Sequence, residues 1–323
     1  MGAFYSWNLF GSIAWLLKGS GINVVINLFF GVLINAAQAV ASQVSAGVTA
    51  LMGSFSSAMQ PQITKSYAAG DYEHMWKLVF NGTRYSFFLL AVFILPLCFN
   101  IDFILSLWLK EIPAYTNIFV ILFLANVLAE SYSTYLITVL LATGKIAFYQ
   151  ASVGTILLLN VPLSYLAFQW GYPPVSFLVV SIILTFAASA LRLFLLKKRF
   201  SFSITLFLRS VFLKTLLTIL LVSALNFMLL NLRSLLPYGN ILVLLFSCLI
   251  SMGGIYILGL ISEDRRIVIV QAKKFLLRLL FILELDHFGK QIRLLRLPRL
   301  RDNLPPEMHF HASGSGRLPL SVN

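Results

Sequence analysis

The chain has 323 residues, of which 59% are hydrophobic and only 11% charged, against roughly 45–50% and 25% in soluble proteins. Too little polar surface remains to cover a water-exposed globule, and the mean hydropathy of +0.89 agrees. The formal charge of +13 would raise nucleic acid as a partner in a soluble protein; here it falls between apolar runs as membrane-loop charge, so no nucleic acid is expected.

A bilayer core of about 30 Å needs roughly 20 apolar residues per helix. Eight stretches qualify: Leu9–Phe30, Asn35–Pro61, Tyr85–Leu107, Thr116–Leu141, Phe148–Trp170, Val175–Leu196, Val211–Leu232 and Ile241–Ile261. The predicted class is therefore an all-α integral membrane protein with eight transmembrane helices, its helical domain covering 1–262. The first run has no basic leader and no small-residue cleavage site, so it reads as a span and not a signal peptide.

The first two spans carry ordered polarity. Asn8, Ser12, Trp15, Gly19, Asn23 and Asn27 recur at helical spacing in the first. Gln38, Ser42, Ser45, Thr49, Gly53, Ser56 and Gln60 do so along the second. An unpartnered amide facing lipid costs several kcal/mol, so these faces must look at protein or at a hydrated cavity. Close packing of Gly, Ala and Ser explains part of the pattern. The Asn and Gln are larger than packing requires, which points to a cavity wall.

Two charges lie near the middle of spans: Lys18 in the first and Glu130 in the fourth. Each costs about 2.5–3.5 kcal/mol on insertion scales and needs a partner or water. Either they pair and hold the bundle together, or Lys18 meets an anionic substrate group while Glu130 takes up a proton or restrains Lys18. Pro96 and Pro162 are expected to kink the third and fifth spans. Asp102, Arg84 and Arg192 lie near span ends, where snorkelling to the interface is expected.

After the last span, 263–298 is basic and could form an interfacial amphipathic helix, although a positive anchor for the final span explains it as well. The stretch 299–323, rich in Pro, Gly and Ser, reads as disordered. With the N-terminus in the cytoplasm, Lys110 and Arg233 alone fall in outer loops and Lys18 within a span; every other Lys and Arg of the 24 lies inside. The positive-inside rule then puts both termini in the cytoplasm.

Catalytic patterns are missing from the sequence. His74, His287, His309 and His311 lie outside the spans. There is no paired-carboxylate, Ser/His/Asp or phosphate-loop pattern, and Cys98 and Cys248 sit alone in apolar runs. No enzyme activity, cofactor or metal is expected.

Trp7–Gly31 (WNLFGSIAWLLKGSGINVVINLFFG) continues into the second span and ends in PQITKSYAAGDYE at Pro61–Glu73; LWLKEIPAYT (Leu107–Thr116) and LLATGKI (Leu140–Ile146) follow. In order and spacing, Ser6–Glu263 resembles the polysaccharide-exporter branch of the multidrug/oligosaccharidyl-lipid/polysaccharide flippase superfamily. Lys110 departs from the family, which usually has Gly there. The resemblance implies transport by alternating access: movement of an undecaprenyl-pyrophosphate-linked oligosaccharide across the bacterial cytoplasmic membrane for O-antigen or capsule synthesis. It implies lipid-linked oligosaccharide and membrane lipids as partners. The implied substrate-binding wall is Lys18, Asn23, Asn27, Gln38, Ser42, Ser45, Thr49 and Gln60, with Glu130 as coupling group or ion-pair partner. The match corresponds to the second lobe plus two terminal helices of a two-lobed fold. The expectation is an incomplete fragment; a chain supplying the missing first lobe, or two associated copies, are the alternatives. A cation-coupled multidrug exporter lobe and an inert membrane scaffold are the competing readings. A membrane glycosyltransferase would need a sizeable outer loop, and none is present between the predicted spans.

Overall fold

The computed structural model describes residues 2–144, 146–200, 202–231 and 239–259; in the first helix the side chains of residues 2–6, 8, 10, 14, 15, 17 and 18 lie outside that description. The chain falls into two units, Met1–Leu260 and Ile261–Asn323. The second lies outside the described residues, and with it all of the basic segment and tail expected at 263–298 and 299–323 together with their histidines.

All regular structure among the described residues is helical. The helices are α1 (Gly2–Ala68), α2 (Tyr72–Phe99), α3 (Ile101–Trp108), α4 (Thr116–Ser131), α5 (Thr134–Ala142), α6 (Ala147–Leu158), α7 (Asn160–Gln169), α8 (Ser176–Phe200), α9 (Ile204–Phe207), α10 (Leu213–Leu230) and α11 (Gly239–Gly254). Single π-helical turns, Leu208–Phe212 and Ile255–Gly259, precede α10 and follow α11. Among the described residues seven helical runs are long and apolar enough to cross a bilayer, so the fold has the make-up of an all-α, multi-pass membrane protein.

Eight predicted stretches map onto seven runs because the first two lie in one helix, α1. Its continuity is broken at Gly31, whose φ of 76° and ψ of −174° belong to a region that essentially only glycine enters. On a straight helix Leu16 and Ala50 would be about 50 Å apart, yet both line one cavity. The two arms, 2–30 and 32–68, therefore fold toward each other about Gly31.

Other boundaries differ for local reasons. α2 starts at Tyr72 and not Tyr85, because the Asp71 side chain caps it by accepting the His74 amide at 3.1 Å. It ends three residues after Pro96, where Asn100 donates its side-chain amide to the Pro96 carbonyl at 3.0 Å. The fourth predicted span is divided at Tyr132–Ser133 into α4 and α5. The kink expected from Pro162 is a break at Leu159 between α6 and α7: proline has no N–H to give the Leu158 carbonyl one turn back.

Two apolar clusters fill the bundle. One gathers Ile26, Ala37 and Ala41 from the arms of α1 with Leu90, Phe119, Leu124 and Phe177. The other gathers Met75 and Phe87 of α2 with Tyr135, Leu136, Ala188, Leu196 and Phe207. Lipid tails are as apolar as leucine, so burial of such side chains does not by itself hold helices together in a bilayer. Polar cross-links supply what burial does not. The Ser86 and Tyr135 hydroxyls meet at 2.8 Å, joining α2 to α5, and those of Tyr132 and Thr215 meet at 2.7 Å, tying the α4–α5 junction to α10. Asn226 on α10 donates to Ser251 on α11 at 3.2 Å and accepts from Ser247.

Candidate functional site

A cavity of about 730 Å³ lies between the arms of α1, α4, α8 and the start of α7, within the roughly 300–1,000 Å³ usual for small-molecule sites. The first arm contributes Gly19, Ser20 and Asn23; the second contributes Gln38, Ser42, Ser45 and Thr49. Asn126 and Glu130 face it from α4, Asn160 from α7 and Ser181 from α8, while Phe123, Phe177 and Leu178 supply an apolar side.

Helical spacing explains the second arm's contribution. Gln38, Ser42, Ser45 and Thr49 recur every three or four residues on one face. The adjoining rows, Ala37, Ala41, Val48 and Met52, pack into the apolar core. Two hydroxyls bond back to their own helix: Ser42 donates to the Ala39 carbonyl and Thr49 to the Ser45 carbonyl, each at 2.8 Å. Such bonds leave oxygen lone pairs free to accept. Gln38 Oε1 and both amide atoms of Asn160 are buried without a hydrogen-bond partner among the described residues. Buried amides of that kind need water or a ligand to offset their desolvation.

Five of the predicted wall residues thus come together: Asn23, Gln38, Ser42, Ser45 and Thr49, with Glu130 opposite. Two do not. Asn27 and Gln60 are exposed and outside the cavity lining. Asn27 lies one residue turn beyond Asn23, close to the break at Gly31. Gln60 lies at the far end of the second arm, which at about 55 Å outruns the cavity, and its carbonyl accepts the Thr64 hydroxyl at 3.0 Å. The Lys18 side chain lies outside the described residues, and the expected pairing with Glu130 with it; its neighbours Leu16 and Gly19 line the cavity.

Sequence reasoning missed Asn126, Asn160 and Ser181. A signal existed for Asn126, which precedes Glu130 by four residues and so shares its helix face. Asn126 donates to Glu130 Oε1 at 3.0 Å and accepts the Thr185 hydroxyl, also at 3.0 Å. The line continues along α8. Ser189 donates to the Thr185 carbonyl at 2.8 Å, Ser133 and Ser189 hydroxyls meet at 2.6 Å, and Arg192 Nη1 donates to Ser133 Oγ at 3.0 Å. With Ser189 donating to the carbonyl, Ser133 donates to Ser189, so every donor points from the guanidinium toward the carboxylate. This line crosses between the two apolar clusters at the α4–α5 break, since Val127 belongs to one and Tyr132 to the other.

The expectation that Arg84 and Arg192 snorkel outward is overturned: they are 5% and 7% exposed. Each has protein partners within the bundle. Arg84 donates to Asn81 at 3.2 Å and lies 5.4 Å from the Tyr85 ring centroid, while Arg192 lies 6.0 Å from that of Tyr149. Asp102 is exposed and accepts from Asn117.

Comparison with known proteins returns no match: no protein-family model fits the chain, and no curated protein or solved structure matches it significantly.

Proposed function

We propose that the chain is one lobe of a flippase for undecaprenyl-pyrophosphate-linked oligosaccharide, acting in bacterial polysaccharide synthesis. The single observation that carries this reading is the convergence of Asn23 on one arm of α1 and Gln38, Ser42, Ser45 and Thr49 on the other around one cavity. Hydroxyls and amides so arranged offer a glycan hydrogen bonds that lipid cannot, while the apolar tail stays in the bilayer. The sequence resemblance over Ser6–Glu263 supports the same assignment.

In this reading both arms of α1 cross the membrane, making eight spans with both termini in the cytoplasm of a bacterial cell. Lys18 adjoins the cavity through its neighbours and is the contact for the pyrophosphate. The facing wall comes from a first lobe, from the same gene, another chain or a second copy. The chain's work is transport, without catalysis or cofactor. Reconstitution with labelled lipid-linked oligosaccharide tests this. In an active assembly, Lys18→Ala should lower translocation while insertion is unchanged or improved, because a costly intramembrane charge is removed. Unchanged translocation removes Lys18 as a substrate contact, and no translocation by any assembly containing this chain removes the flippase reading.

A second reading has one observation in its favour. The Glu130 carboxylate faces the cavity and is held by Asn126 at 3.0 Å, as a cation-coupled exporter lobe would require. Glu130→Gln would then abolish ion-dependent export of lipophilic cations.

A further inference from the structure

A second cavity, of about 440 Å³, opens between the first arm of α1 and α5, α6 and α8, and Arg192 lines it. Among the described residues it shares only Leu16 with the larger cavity. The Arg192 residue is 93% buried. Of its five N–H donors one is used, toward Ser133 Oγ at 3.0 Å, and Nε is buried with no acceptor. Tyr149 adds a ring contact at 6.0 Å, and among the described residues no carboxylate lines the cavity. A buried cation needs more than one neutral hydrogen bond to offset its lost hydration. Ser12, Gln150 and Tyr149 are the other polar residues of the lining. Arg192 also lies about one and a half turns before the basic end of α8, Lys197–Arg199, whose positive charge attracts anions.

We propose that Arg192 is the base of an anion site that takes a phosphate group, from inorganic phosphate or from a phospholipid headgroup. Arginine suits this work because its planar fork grips two phosphate oxygens at once. The site is apart from the larger cavity, and its test involves no transport.

The test uses the full chain in phosphatidylcholine nanodiscs. Inorganic phosphate is titrated against chloride at matched ionic strength, and the thermal unfolding midpoint is read. A parallel arm uses discs containing phosphatidylglycerol, with lipid retention counted by native mass spectrometry. Wild type should show a saturable rise of the midpoint with phosphate, or retain a phosphatidylglycerol that phosphate displaces; the first alone assigns a free-anion source, the second a headgroup source. Arg192→Met should lose either response. Arg192→Lys, which keeps the charge and guards against misfolding of the first variant, should bind at least tenfold more weakly. A wild-type chain indifferent to both probes would overturn the site. So would an Arg192→Lys chain that binds as tightly as wild type.

Discussion

Removing the Asn126 amide tests whether the polar line between α4 and α8 holds the cavity wall. Asn126 is 9% exposed and Thr185 3%. The amide makes two bonds at 3.0 Å, accepting from Thr185 and donating to Glu130. These are unequal. Glu130 is exposed and can turn to water, so losing that bond costs little. Thr185 is buried, and its hydroxyl must find the carbonyl one turn back or stay unsatisfied, at about 1–3 kcal/mol. Measured bonds between membrane helices average about 0.6 kcal/mol and reach about 1.7. Asn126→Ala should therefore destabilise by about 1–2 kcal/mol, and Thr185→Val by about 1 kcal/mol. A double-mutant cycle, read by reversible unfolding in mixed micelles, should give a coupling of about 0.6–1.7 kcal/mol. A coupling indistinguishable from zero, with both single variants destabilised, would show that each loses packing alone and that the line does not bind the helices.

Two further outcomes follow from the backbone and the last helices. Gly31→Ala forces a side chain into φ 76°, ψ −174°, so it should cost about 1–3 kcal/mol in the same unfolding assay, whereas Gly19→Ala, with nothing within 4 Å of its Cβ position, should be close to neutral. Asn226→Leu deletes the clamp to Ser247 and Ser251 and leaves two buried hydroxyls, so it should loosen α11 from α10. Proteolysis between 231 and 239 should quicken at least several-fold, and unchanged cleavage would place the hold elsewhere.

The membrane class was legible because span length and apolar composition follow from bilayer thickness, and Gln38, Ser42, Ser45 and Thr49 were legible because α-helical spacing puts them on one face of the second arm, as it puts Asn23 on the polar face of the first. Asn27 and Gln60 obeyed the same spacing but fell outside: periodicity gives the face of a helix and not how far along it a partner wall extends. Gly31 reads as an ordinary residue of a loop in sequence; only its backbone angles reveal a single-residue break inside α1. Distance from a span end does not decide the burial of Arg84 and Arg192, which are 5% and 7% exposed. Their fate depends on Asn81, Ser133 and Tyr149, whose proximity is tertiary except for Asn81, one turn away.

Water access to the α1 arms tests the central claim most directly. With Cys98 and Cys248 replaced, single cysteines at Asn23 and Thr49, which line the cavity, are compared with Val24 and Leu51, which are 68% and 39% exposed but outside it. Each pair lies at nearly the same depth. A membrane-impermeant maleimide applied to both sides should modify Asn23→Cys and Thr49→Cys and spare Val24→Cys and Leu51→Cys. Equal protection of all four would mean a dry interior, and the account of a hydrated passage would be contradicted.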